Sequence, residues 1–126
     1  MKDNQLFAFI NNAVNSTMEG MLEVGYANGY VALPPSHPLH NVSYSEIDRQ
    51  VDVHGGMTFG CAIAQFREHE DWQQHTECID FDSLNDIPED YYVVGFDTMH
   101  IGDSGLDKNW CIQETLRLKT QLEAMM

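Results

Sequence analysis

Basic side chains are scarce in this sequence: six Lys and Arg stand against twenty Asp and Glu, a formal charge of −14. A field of that sign repels phosphate backbones and anionic membrane surfaces over about a Debye length, so direct nucleic-acid binding through a basic face is not expected. Cysteine is also sparse. Cys61, Cys78 and Cys111 are odd in number, far apart and without a C-x-x-C pair, which argues against a disulfide framework or a thiolate zinc site and for a reduced, cytoplasmic setting. Long apolar runs are missing too. The opening MKDNQLFAFINNAVN is interrupted by Asn and Gln, so neither a signal-peptide core nor a membrane span is expected. The phosphate-cradling G-x-x-x-x-G-K-[ST] loop, G-x-G-x-x-G after a strand, the G-x-S-x-G elbow and the H-E-x-x-H helix are all absent, which removes the common nucleotide-binding, hydrolase and metalloprotease signatures.

What is present suffices for a folded core. The chain has 126 residues, 43% of them apolar, with six Phe, five Tyr and two Trp, so a single acidic domain spanning 1–126 is expected. The acidic excess has two readings, plain solubility or imitation of a polyanion that competes for a basic surface.

Residues 3 to 24 fit an amphipathic helix, with Asp3 as cap, Phe7, Ile10, Val14, Met18, Met21 and Leu22 at three- and four-residue intervals, and Gly25 as stop. Gly29 to Leu33 reads as a short strand ended by Pro34-Pro35, followed by a turn-rich loop to Ser45. Val51 and Val53 alternate with polar neighbours as in a half-buried strand, and after Gly55-Gly56 an apolar run from Met57 to Ala64 resumes. That pattern reads as a hairpin with a glycine turn; alternatively the glycines let backbone approach a ligand beside His54. Residues 67–90 hold nine acids and one basic residue and read as a solvated acidic excursion, with at most a short element at Cys78 to Phe81. Tyr91 to Phe96 is the clearest strand, and a terminal helix begins near Lys108, capped by Asp107. The expected class is therefore α+β: a three- to four-stranded antiparallel or mixed sheet with an N-terminal and a C-terminal helix packed on it.

The residues suited to chemistry are His54 and the spaced set Asp97, His100 and Asp103. Imidazole and carboxylate ligate zinc, manganese or iron, for which His54, Asp97 and His100 form one donor set, and the same groups serve general acid/base work without a metal. The structural alternative is an Asx turn at Asp97, a cap at Asp103 and a hairpin residue at His54. His37 and His40, pinned around Pro38, offer a second pair of ligands or simply exposed loop residues. Cys61 in its apolar run reads as a small hydrophobe rather than a nucleophile.

Three blocks carry a resemblance: GYVALP leading to HPL (Gly29 to Leu39), VHGGMTF (Val53 to Phe59) and GFDTMHIGD (Gly95 to Asp103). Together they resemble a family of short phage and prophage proteins of uncharacterised function, over roughly residues 26 to 122. Met57 stands where that family has leucine, and the acidic excursion is longer. Position by position, the resemblance marks His37, Gly55, Gly56 and Thr58 as ligand-binding positions beside the candidate catalytic His54, Asp97, His100 and Asp103. It implies a viral or mobile-element origin and action on host defences. The combined expectation is a polar site that binds a small phosphate-containing ligand such as a nucleotide signal, with a divalent metal and, if the chain is an enzyme, metal-assisted phosphoesterase hydrolysis. The competing expectation is a non-enzymatic acidic inhibitor of a host protein.

Overall fold

Five antiparallel strands in the order β3-β5-β2-β1-β4 form the centre of the molecule. The structure is a computed structural model that describes residues 4–18, 24–68, 73–100 and 102–126. Along the chain run β1 (Phe7–Asn11), α1 (Ala13–Met18), β2 (Asn28–Leu33), α2 (Tyr44–Asp48), β3 (Phe59–Ala62), α3 (Ile63–Arg67), β4 (Thr76–Cys78), β5 (Tyr92–Phe96) and α4 (Lys108–Glu123). Short 3-10 turns occupy Leu84–Asp86 and Asp103–Gly105. The α+β class and the antiparallel sheet are as expected, while the strand count exceeds the expected three or four. No helix among the described residues is long and apolar enough to cross a membrane.

The sheet is buried on both faces. Side chains alternate along β2, so Val31 and Leu33 join Val94, Phe96, Leu118 and Leu122 on the α4 face. Tyr30 and Ala32 join Phe7, Phe9, Val93, Ile63 and Phe66 on the other. Asp107 caps α4, its side chain accepting from the Trp110 amide at 2.9 Å, as its position before the terminal helix predicts.

Three expectations are corrected. The span read as an N-terminal helix begins instead with β1, all five residues of which are buried, and only Ala13–Met18 is helical; residues 3 and 19–23 of that reading lie outside the described residues. The run Leu6-Phe7-Ala8-Phe9-Ile10 is apolar on both sides of a strand, so a helix-like spacing could be picked out of it. Asn11 ends the strand, its Oδ1 accepting from the Ala13 amide. An N-terminal helix packed on the sheet is thus replaced by a sheet strand.

The glycine hairpin is likewise absent. Residues 51–53 pair with no strand, and β3 pairs with β5. Side chains satisfy this backbone instead of a ladder: Gln121 accepts from the Asp52 amide and donates to the Asp52 carbonyl, and Asp48 accepts from the Met57 amide. The apolar run from Met57 to Ala64 divides into β3 and the start of α3.

The acidic excursion is structured where it is described. β4 lies earlier than the expected Cys78 to Phe81 and pairs with β1, the Ile79 amide donates to the Ala8 carbonyl, and Asp80 accepts from the Ala8 amide and pairs with Lys119. Phe81, Leu84 and Ile87 then pack over Phe7, Phe9 and Phe66, covering the face opposite α4. Apolar residues spaced among acids thus make a lid for the core, with acids such as Asp82, Asp86, Glu89 and Asp90 pointing to solvent.

One end of the sheet collects most of the polar chemistry. The registers Asn11↔Asn28, Asn11↔Thr76, Gly29↔Phe96 and Phe59↔Gly95 place there the ends of β1 and β5 and the starts of β2, β3 and β4. The VHGG loop enters β3 at this end and the DTMHIGD segment leaves β5 from it.

Candidate functional site

His54 reaches this end on a loop bent by Gly55 (φ 70°) and Gly56 (φ 85°), both in the left-handed region that glycine adopts without strain. The bend is fixed from two sides. The Gly56 amide donates to the Val53 carbonyl at 3.0 Å, and the His54 amide donates to Glu114 Oε2 of α4 at 2.8 Å. The Glu114 carboxylate is buried and grips Arg117 through two bonds of 2.8 Å; that guanidinium, assisted by the His54 amide, holds its carboxyl below the usual range despite burial. The His54 ring packs edge-on against Trp110, centroids 5.0 Å apart.

The segment leaving β5 turns back on itself. Asp97 Oδ1 accepts from the Met99 amide at 3.1 Å, an Asx turn, and the Asp103 amide donates to the His100 carbonyl at 3.0 Å. This turn carries Asp103 inward, where it is 3% exposed.

Asp103 joins the two segments. Its Oδ1 accepts from His54 Nε2 at 2.9 Å, and its Oδ2 accepts from His100 Nδ1 at 3.1 Å and from the His100 amide at 3.0 Å. Burial alone would raise this carboxyl, yet the His100 amide and the two imidazoles outweigh it and leave it below the ordinary carboxylate value. A carboxylate accepts only, so both imidazoles present an N–H to it, His54 through Nε2 and His100 through Nδ1. His54 Nδ1 and His100 Nε2 take no part in these bonds. The two rings stand edge to face with centroids 5.7 Å apart.

Ligating atoms from His54, His100 and Asp103 all lie within 4.8 Å of one another, a grouping that can hold a metal ion. Two imidazole nitrogens and one carboxylate oxygen suit a borderline transition ion such as zinc, bound at about 2.0–2.2 Å. This grouping shares His54 and His100 with the donor set drawn from the sequence and has Asp103 beside them. Asp97, the third donor expected from the sequence, has its Oδ1 3.6 Å from His100 Nδ1 and accepts there from the Met99 amide.

Of the other marked positions, Gly55 is set by His100: a Cβ added there would meet the imidazole at 2.3 Å. Gly56 is similarly close to Asp48, 2.9 Å from an added Cβ. At both glycines the backbone comes close to the protein's own side chains. Thr58 is exposed where the chain enters β3, its amide bonded to the Gly95 carbonyl. His37 is not brought to the cluster. It is buried, with Nδ1 accepting from the Leu39 amide at 3.0 Å and Nε2 donating to the Leu122 carbonyl at 2.8 Å. Burial pushes its pKa down, the Leu122 bond offsetting this in part. Leu122 lies two helical turns, ~12 Å, beyond Glu114 on α4. His40 bonds the Asp90 carbonyl at 2.7 Å. Burial lifts the Cys61 thiol to about 11, consistent with a small hydrophobe.

Glu114 and Trp110 are the supporting residues that sequence reading passed over. Their signal was available, since positions 110 and 114 share a helix face and 114 and 117 form an acid–base pair one turn apart. No family model, curated protein or solved structure matches this chain.

Proposed function

We propose that this chain is a phage-type accessory protein that binds a small phosphate-containing ligand, a nucleotide signal being the prime case, through a divalent ion held by His54, His100 and Asp103. One observation carries the reading: groups from two separated segments, 54 and 100–103, meet around a buried carboxylate with their ligating atoms within 4.8 Å. A net charge of −14 repels phosphate, and a bound cation at this spot offsets that field locally. When bound, the ion supplies a Lewis acid that polarises a phosphoryl oxygen. The protein's own contribution is positional: Glu114 holds the His54 backbone, Gly55 lets the His100 ring lie against the loop, and Asp103 gathers both imidazoles, each of which would move its N–H to the other ring nitrogen when an ion takes the place of these hydrogen bonds. Sequestering such a ligand, or cleaving it, would blunt a host defence that signals with nucleotides, in keeping with the resemblance to phage proteins.

The test is calorimetric titration of the chelator-stripped protein with Zn²⁺ and Mn²⁺, followed by nucleotide titration with and without the ion. His54→Ala, His100→Ala and Asp103→Asn should each weaken ion binding by about 10- to 100-fold, by analogy with losses at metal sites. Retention of wild-type ion affinity by all three variants would remove the reading. Cleavage is read separately, as phosphate or alcohol release from a phosphodiester in the presence of the ion.

The exposed acids Asp82, Asp86, Glu89 and Asp90 favour a second reading, a polyanion mimic that occupies a basic host protein. It predicts binding that collapses with added salt and ignores His54→Ala, the opposite pattern to the first.

A further inference from the structure

A hollow of about 340 Å³ lies at the same end of the sheet as the His54–His100–Asp103 cluster, lined by Asn12, Asn15, Ser16, Tyr26, Ser104 and Asp107 among others. A second hollow of about 230 Å³ shares Asn12 and Tyr26 with it. The larger one falls within the ~300–1,000 Å³ range of small-molecule sites.

Its chemistry differs from that of the cluster. The described lining residues supply amides, hydroxyls and one partly exposed aromatic ring, Tyr26, but no Lys or Arg. Among the described lining residues the one carboxylate, Asp107, accepts from the Trp110 amide. Asn15 has its amide nitrogen fixed by the Gly25 carbonyl at 3.0 Å, which can only accept, and by Thr98 Oγ1 at 3.1 Å. That leaves Asn15 Oδ1 a buried acceptor with no donor. Among the described lining residues a phosphate finds no counter-charge, whereas a flat, uncharged ring finds an aromatic face with amide and hydroxyl groups around it.

The two places are joined by one tight turn. Asp103 faces the histidines and the next residue, Ser104, lines the hollow. We propose that the hollow is a nucleobase site, taking the base of a nucleotide whose phosphate is held at the cluster. This rests on the cluster reading for the phosphate and adds the recognition of the base.

The experiment is amide NMR titration of the full chain with adenosine, guanosine, cytidine and uridine, then with their 5′-monophosphates plus Zn²⁺. Nucleosides carry no phosphate, so they test the hollow alone. At least one should shift amides around Gly25, Tyr26, Ser104 and Leu106, equally in wild type and in His54→Ala. Ser16→Trp, at an exposed position of α1, should fill the hollow, and Tyr26→Ala removes the aromatic face. Each should abolish the nucleoside shifts and weaken the monophosphate about tenfold, the scale of one lost base–aromatic stack, with Zn²⁺ affinity within about twofold of wild type. Absence of nucleoside shifts at the hollow, or wild-type monophosphate affinity in both variants, overturns the proposal. Hollow shifts with monophosphates binding no tighter than nucleosides would uphold the base site and refute the cluster as a phosphate site.

Discussion

Histidine shows how little a residue's identity says about its job. His37 and His54 both sit in glycine- or proline-rich blocks, yet one has both ring nitrogens tied to backbone in the core and the other shares a carboxylate at the surface. Sequence spacing found His54, His100 and Asp103 because ionisable groups follow a strand end and a glycine bend. It could not rank Asp97 against Asp103, because which carboxylate turns inward depends on one Asx turn and one backbone bond. His37 provides the residue-scale prediction. His37→Ala strands a buried amide and a buried carbonyl, so it should cost about 2–4 kcal/mol in urea unfolding while leaving ion affinity in the folded protein unchanged. A variant as stable as wild type would show that water replaces both bonds.

The elements read correctly were those with an unambiguous pattern: β2 before its prolines, β5 with its aromatic and β-branched run, and α4 behind Asp107. β1 was misread because a strand buried on both faces has no alternation to display, and the 51–53 segment because its bonds go to side chains distant in sequence. The Gly55-Gly56 bend is where loop and site depend on each other most tightly. Gly55→Ala combines a φ of 70° with a Cβ driven into the His100 ring, so it should destabilise the fold by about 1–3 kcal/mol. It should also weaken Zn²⁺ binding, since His100 must move aside. Unfolding curves and metal titration of the one variant check both, and a loss of stability with intact metal affinity would mean that the ring moves without harm.

Charge acts on the molecule as a whole, and its pH dependence has two opposing parts. His37 is held neutral below its ordinary pKa, so stability is complete above about pH 6.5 and declines as the unfolded chain takes up a proton that the folded one refuses. Glu114 and Asp103, both held below their ordinary values, add a further loss as the pH falls through about 4 toward their folded pKa values. Mutual repulsion within a chain of −14 works the other way, easing as acids are neutralised, but it is screened at physiological ionic strength, where the Debye length is about 8 Å. Chemical unfolding at 0.15 M salt should therefore show stability falling from pH 7 to pH 5 and again below pH 4. A rise on acidification at that salt would mean that repulsion outweighs the buried groups.

Helix α4 clasps loops along its whole length: Glu114 holds the His54 amide, Gln121 holds Asp52, Leu122 holds His37 and Lys119 holds Asp80. These bonds reach across 60 to 85 positions of sequence for the first and third of them. During synthesis His37 and His54 emerge from the ribosome well before the helix that arrests them. A chain without α4 would accordingly keep His54, His100 and Asp103 but lose the Glu114 bond that fixes the His54 loop beside them.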